Sequence, residues 1–419
     1  MGATQLLIST AVIALTAFAS ANAHPTQNGV RVFSHPGALH SALDIKRIKE
    51  RVAAKDEPWS TAFQHLSTRS LTQVTRKPNP KEILVRSATG GVPGTNLTNN
   101  YASAYQDAHS AYGLALRWLI TGNTSFADAA TNVLDAWGRT LKRVDGNEDR
   151  YLAAGLYGYQ FANVAELLRG YQGWPKKNQT AFANMLSTVF APENYYFLTT
   201  HVNKPDFYYA NWDLCNIASM MAIGIFTDNS TMYNWAVDTF LNGLPDSSTV
   251  INGALPYFSI ANFTEPGSNK TLMQGQEAGR DQGHALLCFA LLGVIGQQGH
   301  NQGVDLYGAY GNQILNGAEY AGKFNSGNYS VPYTPYRSWE GILPVVSEKK
   351  RFDLRPGFEA IYAHYSEVRG LNASWTKAYR DLVNANLTAN IEGGGGDYGP
   401  NSGGFDAFGH GTLLYRIRG

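Results

Sequence analysis

The chain has 419 residues, with 33 Lys+Arg against 32 Asp+Glu and a net charge of +1 when histidine is neutral. That length can bury a sizeable core, and no Lys/Arg run reads as a patch for nucleic acid or a membrane surface, so neither is an expected partner. Charged residues make up 16% and aromatics 12%, so any polyanionic partner has to be met by local charge and by the flat, polar-tipped faces of Tyr and Trp.

Residues 5–20, "QLLISTAVIALTAFAS", are apolar and run into the small-residue pattern Ala21-Asn22-Ala23. This predicts a secretory leader over 1–23, cut before His24, and an extracellular mature chain. Nine Asn-x-Ser/Thr sequons, at Asn96, Asn123, Asn178, Asn229, Asn262, Asn269, Asn328, Asn372 and Asn386, predict N-linked glycans. No later stretch is long and apolar enough to span a bilayer.

Residues 40–66 read as a helix pair split at Glu57-Pro58, and 85–100 as a long polar loop. From residue 100 two kinds of helix alternate. One kind is apolar most of the way round: 107–122, 155–171, 211–226 and 280–296. The other is amphipathic: 125–141, 179–191, 230–243 and 304–322. A helix apolar all round requires burial, and an amphipathic one keeps a single wet face. Repeated inner–outer hairpins therefore predict an all-α chain folded as a ring, an (α/α) toroid or incomplete barrel, with one domain over 24–419. Cys215 and Cys288 lie inside apolar helices, where two free thiols and one disulfide are equally compatible with the pattern.

In "EAGRDQGHALLCFALL" (277–292), Glu277, Arg280, Asp281 and His284 have the i, i+3, i+4, i+7 spacing of one helical face. That predicts a charged stripe at the mouth of a buried helix, with Asp281 as a capping or supporting residue. Asn211 opens the preceding inner helix and is expected at the same end, either as an N-cap or as part of a site. The sequence has no HExxH, paired CxxC or GxSxG motif, and its GGGG at 393–396 lacks a strand-to-helix setting. No metal or cofactor is expected.

The hairpin rhythm, "HPGALHSALDIKRIKERVAAKDEPW", "NWD…CNIASMMAIGIF", "EAGRDQGH", "RPGFEAIYAHY" and "GGFDAFGHGTLLY" together resemble the alginate lyase superfamily, near polysaccharide lyase families 5 and 38. The resemblance implies a secreted polysaccharide lyase that cleaves a 1,4-linked polyuronate, mannuronate-rich alginate or glucuronan, by β-elimination. The C5 proton is acidic enough to remove only when donors neutralise the adjacent carboxylate. The resemblance gives that role to Asn211 and His284, with Arg280 beside them, and gives base and acid to a Tyr of "YSVPYTPYRSWEG": Tyr336, with Tyr333 behind it. Some relatives carry Asn-His where this chain has Asn211-Trp212, which shifts neutralisation onto His284 and Arg280. Tyr333, Arg337, Trp339, Gln282, Glu277, Trp212 and Arg355 complete the expected substrate-binding set, and a monomer is expected. Two other functions fit the same residues: a toroid glycoside hydrolase using Glu277 or Asp281, and a carbohydrate-binding protein without turnover.

Overall fold

Helix pairs dominate the computed structural model, which describes residues 26–27, 30–244 and 253–419; the expected leader and its cleavage point lie outside the described residues. The first pair, α1 (Ala42–Ala53) and α2 (Trp59–Thr68), breaks around Glu57-Pro58. α1 opens on a capping box in which Ser41 accepts the Asp44 N–H and Asp44 accepts the Ser41 N–H, satisfying two otherwise orphaned donors. Next come α3 (Ala102–Thr121) with α4 (Thr124–Thr140), and α5 (Asp149–Leu168) with α6 (Lys176–Met185). A π turn over 186–190 carries α6 into α7 (Ala191–Thr200). Then follow α8 (Asn211–Phe226) with α9 (Ser230–Asn242), the one-turn α10 (Leu255–Phe258), and α11 (Gln282–Asn301) with α12 (Ala309–Asn325). Short helices α13 (Phe358–Tyr362), α14 (Ser374–Ala385) and α15 (Gly411–Leu414) end the chain.

Burial sorts these helices as the sequence pattern implies. Every residue of α8 except Trp212 is buried, and in α11 only His284 breaks the buried run before Val294. The amphipathic α9 instead buries Tyr233, Ala236, Thr239 and Phe240, one face at i, i+3, i+4 spacing. Inner helices touch in sequence: α1 on α3, α3 on α5, α5 on α8, α8 on α11, α11 on α13. The ring closes through α15, which touches both α13 and α1. This is the expected (α/α) toroid, closed by short C-terminal helices where a longer hairpin would otherwise stand. Close approach of α5 and α8 requires Gly155: a Cβ there would sit 2.9 Å from the Asn216 backbone nitrogen.

The glycine-rich C-terminal stretch plugs the ring. Phe405 stacks on Tyr105 at 4.5 Å and Phe408 on Tyr112 at 3.8 Å, both partners on α3. The Phe405 carbonyl accepts from His109 Nε2 (3.0 Å) and Gln160 Nε2 (2.7 Å), and the Asp406 carbonyl accepts from Tyr159 (2.5 Å). Each fully buried Phe of this kind contributes roughly 1.5–3 kcal/mol of transfer free energy, and the side-chain donors satisfy a backbone that lies inside the core.

Among the described residues four two-stranded pieces decorate the ring. They are antiparallel β1 (Thr26–Gln27) and β2 (Val30–Arg31), parallel β3 (Ile83–Val85) and β4 (Arg143–Asp145), and the antiparallel hairpins β5 (Ser259–Thr264)–β6 (Thr271–Gly275) and β7 (Tyr336–Ser338)–β8 (Gly341–Leu343). The β7–β8 hairpin begins in the Tyr-rich stretch "YSVPYTPYRSWEG" and runs two residues past its end. Cys215 and Cys288 are both buried free thiols.

Candidate active site at the mouth of the toroid

The expected stripe is not a helical face. α11 starts at Gln282, five residues later than a helix holding Glu277 requires. Asp281 is extended (φ −165°, ψ 155°) and caps the helix, its Oδ1 accepting the His284 N–H at 2.9 Å. The run 277–280 is a turn, held by an Arg280 N–H to Glu277 carbonyl bond of 3.1 Å. The i, i+3, i+4 spacing mimicked a helix because a turn followed by a cap also brings such residues together.

The cap does more than end the helix. Asp281 Oδ2 lies 2.7 Å from His284 Nδ1, so one carboxylate fixes both the helix start and the imidazole. With Nδ1 held, Nε2 is the nitrogen available to a ligand, on a side chain 31% exposed. Burial alone would raise the Asp281 carboxyl, but the His284 hydrogen bonds and charge, with Lys350 beyond, hold it well below the usual carboxylate range. Glu277 behaves oppositely. Burial raises its carboxyl above the usual range against the pull of Arg280 and His284, and its contacts to Arg280 are long, 3.5 Å to each oxygen. The Arg280 guanidinium therefore keeps capacity for another anion.

Asn211 stands on the neighbouring wall. It is the first residue of α8 and does not cap it; the cap position is Ala210, at φ 55°, ψ −111°. The Asn211 backbone lies near the thiol of Cys288, one turn beyond His284 on α11, and α8 packs against α11, so the two helix starts stand side by side. Asn211 is 2% exposed and its Oδ1 has no partner among the described residues, so the amide retains hydrogen-bonding capacity at the mouth. Tyr209, two residues earlier, was not singled out by the sequence; it sits in the field of Glu277 and Arg280 beside Ser338.

The tyrosines expected as base are occupied elsewhere. The Tyr336 hydroxyl donates to the Gln276 carbonyl and accepts the Gly279 N–H at 3.1 Å, and burial pushes its pKa upward. Tyr333 donates to the Leu343 carbonyl at 3.0 Å, and burial pushes its pKa up to about 12. Both phenols tie the β7–β8 hairpin and the 276–279 turn together. The Gln282 side chain is likewise engaged: its Nε2 donates to Ser347 O (2.9 Å) and Ala278 O (3.2 Å), and its Oε1 accepts from Asn325 (2.8 Å).

The remaining expected binders form two flanks. On one, Trp339 (42% exposed) meets Phe207 (41% exposed) at 4.7 Å, and Phe207, Tyr208 and Trp212 continue the aromatic contacts to the start of α8. Arg337 is exposed on the same hairpin. On the other flank, Arg355 pairs with Asp406 at 3.3 Å and donates to the Gly403 carbonyl. Phe207 and Asp406 join the site only in three dimensions. Among the described residues no cluster of three or more His, Cys, Asp or Glu side chains has the arrangement of a metal site.

A toroid whose mouth sets an oriented imidazole beside an amide and a guanidinium is the frame of a polysaccharide lyase. A sequence-family profile described as Alginate lyase matches residues 52–328, and the chain belongs to the alginate lyase family. Among solved structures it is similar to alginate lyase A1-III from Sphingomonas species A1 (11% identity, 94% of this chain and 99% of that chain, TM-score 0.56). It is also similar to an alginate lyase from Bacteroides ovatus (11% identity, 85% and 97%, TM-score 0.55) and to a Tyr-to-Phe variant of A1-III complexed with tetrasaccharide (12% identity, 94% and 100%, TM-score 0.56). At these identities the likeness is one of fold. No curated protein matches the chain.

Proposed function

We propose that the chain is a secreted, single-domain lyase that cleaves a 1,4-linked polyuronate by β-elimination, with His284 as base and then acid. The observation that carries this reading is the Asp281–His284 pair: an imidazole locked through Nδ1, with Nε2 at the mouth of the ring. Nε2 takes the C5 proton, Asp281 stabilises the imidazolium that forms, and the same proton is returned to the departing O4 as the C4–O4 bond breaks. Asn211 and Arg280 bind the carboxylate and stabilise the negative charge that develops on it. Tyr336 and Tyr333 are left out of proton transfer because their hydroxyls already serve backbone groups.

D-Mannuronate and D-glucuronate share their configuration at C4 and C5, which puts the C5 proton and O4 on one face of the ring. A single imidazole can serve both. L-Guluronate is the C5 epimer and would require a second group opposite. The hydrolase alternative is disfavoured because both Asp281 oxygens are committed to His284 and Glu277 is only 1% exposed. Secretion is supported by the leader pattern and by the exposure of every sequon asparagine except Asn178, whose amide contacts Asp135.

The test is ultraviolet absorbance of the unsaturated product during incubation with polymannuronate, glucuronan and polyguluronate. A rise on one or both of the first two, none on the third, and loss of the rise in His284→Ala are expected. New reducing ends without that chromophore would overturn elimination.

A further inference from the structure

The flank holding Arg355 opens into a cavity of ≈370 Å³, lined by Lys350, Asp353, Arg355, Tyr398 and Asn401 among others. That volume lies in the range of small-ligand sites. Its turn is pinned to the reactive end of α11. The Gln282 N–H donates to Lys349 O at 2.9 Å, its side chain donates to Ser347 O, and the Ser347 N–H donates to Ala278 O at 2.9 Å. Gly283, next to His284, lies directly under the turn: a Cβ there would be 2.9 Å from Lys350 Cδ and 3.4 Å from Asp353 Oδ2. Lys350 itself is held at φ 57°, a left-handed conformation uncommon outside glycine that must be maintained by its surroundings.

We propose that this cavity is a subsite for a second uronate residue of the polymer, one ring along from the residue at His284, with Lys350 receiving its carboxylate. The inference rests on the lyase reading and extends it to residues that neither the sequence motifs nor the reaction require. Charge bookkeeping selects the ligand class. Arg355 is paired with Asp406, and Asp397 with Arg69 and His65. Among the described residues Lys350 Nζ and the Asp353 carboxylate have no ion-pair partner within 4.0 Å. One free cation and one free carboxylate suit a ring with a single carboxylate and several hydroxyls, the hydroxyls donating to Asp353. A phosphorylated or heavily sulfated ligand would meet repulsion there. Tyr398, packed against the core, also lines the cavity.

The experiment compares wild type, Lys350→Gln, Lys350→Glu and Asn401→Ala, with Lys177→Gln as an exposed charge control, on polymannuronate and glucuronan. Retention is read by affinity electrophoresis in gels holding each polymer, and KM and kcat by the ultraviolet assay on oligosaccharides of increasing length. Expected are about tenfold weaker retention and higher KM for Lys350→Gln, a larger loss for Lys350→Glu, kcat within about twofold, and convergence with wild type at high salt. The difference should also vanish on oligosaccharides too short to reach the cavity. Retention equal to wild type at low salt on both polymers would overturn the subsite. So would a fall in kcat at unchanged KM, which would mean that Lys350 acts through Asp281. A wild type that produces no chromophore defeats the lyase reading, while the gel still reads the subsite separately.

Discussion

Asp281→Asn separates the two jobs of one carboxylate. The variant amide has a single oxygen, and in the native structure both carboxylate oxygens are used, one by the His284 N–H at 2.9 Å and the other by Nδ1 at 2.7 Å. If the amide oxygen keeps the cap, its NH2 faces the ring, Nδ1 must become an acceptor, and the proton moves to Nε2, where a base is needed. If the amide flips to keep the tautomer, the cap is lost at about 1 kcal/mol, and two N–H donors face each other at a further ~1–3 kcal/mol. The productive arrangement therefore lies roughly 3 kcal/mol up, about a hundredfold in population at 1.36 kcal/mol per decade. Loss of the charge-assisted contact to the developing imidazolium adds about another tenfold. Activity should fall by about 10²–10³-fold, carried by kcat, while the melting temperature changes little because the cap is retained. Initial rates on polymannuronate and glucuronan, paired with thermal melts, read both effects. A kcat within threefold of wild type in a folded Asp281→Asn protein would refute His284 as the base.

Tyr336→Phe should lower stability by about 1–3 kcal/mol, since the Gly279 N–H loses its acceptor, and should leave kcat within about tenfold; a thousandfold loss of kcat at unchanged melting temperature would restore Tyr336 as the proton-transfer group. His35, 2.6 Å from Glu166 and 2.9 Å from Asp228, is opposed by burial, but its hydrogen bonds to Asp228 and Glu166 raise its pKa to about 9. Its folded value lies above the unfolded one, so this stabilisation is complete below about pH 6.5 and fades as pH rises through about 9. Discounted for the half-exposed Asp228, wild type should lose about 1–2 kcal/mol relative to His35→Gln across that window in denaturation titrations; a difference independent of pH would contradict it. Glu392 is raised to about 8 by burial and then by Glu359. The fold therefore loses stability as pH climbs from the unfolded carboxyl value through 8, and Glu392→Gln should gain on wild type over that interval and plateau above it. A gain already complete at pH 4 would show that charge is not the cause.

The inner helices were legible because a helix apolar on every side has one destination. α8 runs from Asn211 to Phe226 as its composition implies, and the first pair breaks around Glu57-Pro58. The site was legible as a set of residue types and misread in conformation. Glu277 to His284 keeps helical spacing in the sequence, but Asp281 competes for the backbone as a cap, and local hydrogen bonding won over periodicity. The β5–β6 hairpin carried its signal in Pro266-Gly267 between Thr264 and Thr271, a turn dipeptide flanked by β-branched residues. Tyr336 shows a harder limit. The Tyr-rich stretch gives no sign of what its phenols bond to, and the partners of Tyr336, the Gln276 carbonyl and the Gly279 N–H, lie sixty and fifty-seven residues upstream.

On the proposed reading, a chain with a net charge of +1 grips a polyanion through local charge, and most of that charge is paired. Arg280 faces Glu277, Arg355 faces Asp406, and Arg351 faces Glu348. These pairs fix the turns that carry the reactive groups, and they remove most of the local positive charge. Among the described residues Arg337 on the hairpin and Lys349 and Lys350 in the turn that follows it keep no such partner, and all three are exposed. Arg337 sits on the hairpin that Tyr336 ties to Gly279, and Lys350 lies over Gly283 beside His284. Their pull on a polymer is local and screened by salt within about 10 Å at 0.1 M, so register along the chain falls to a contact that salt does not weaken, the Trp339–Phe207 faces. Ionic strength should therefore change how tightly a polyuronate is held far more than where it is cut, which product-length profiles at low and high salt would reveal. A shift in product length that tracks salt while the aromatic residues are intact would mean that charge, not stacking, sets the register.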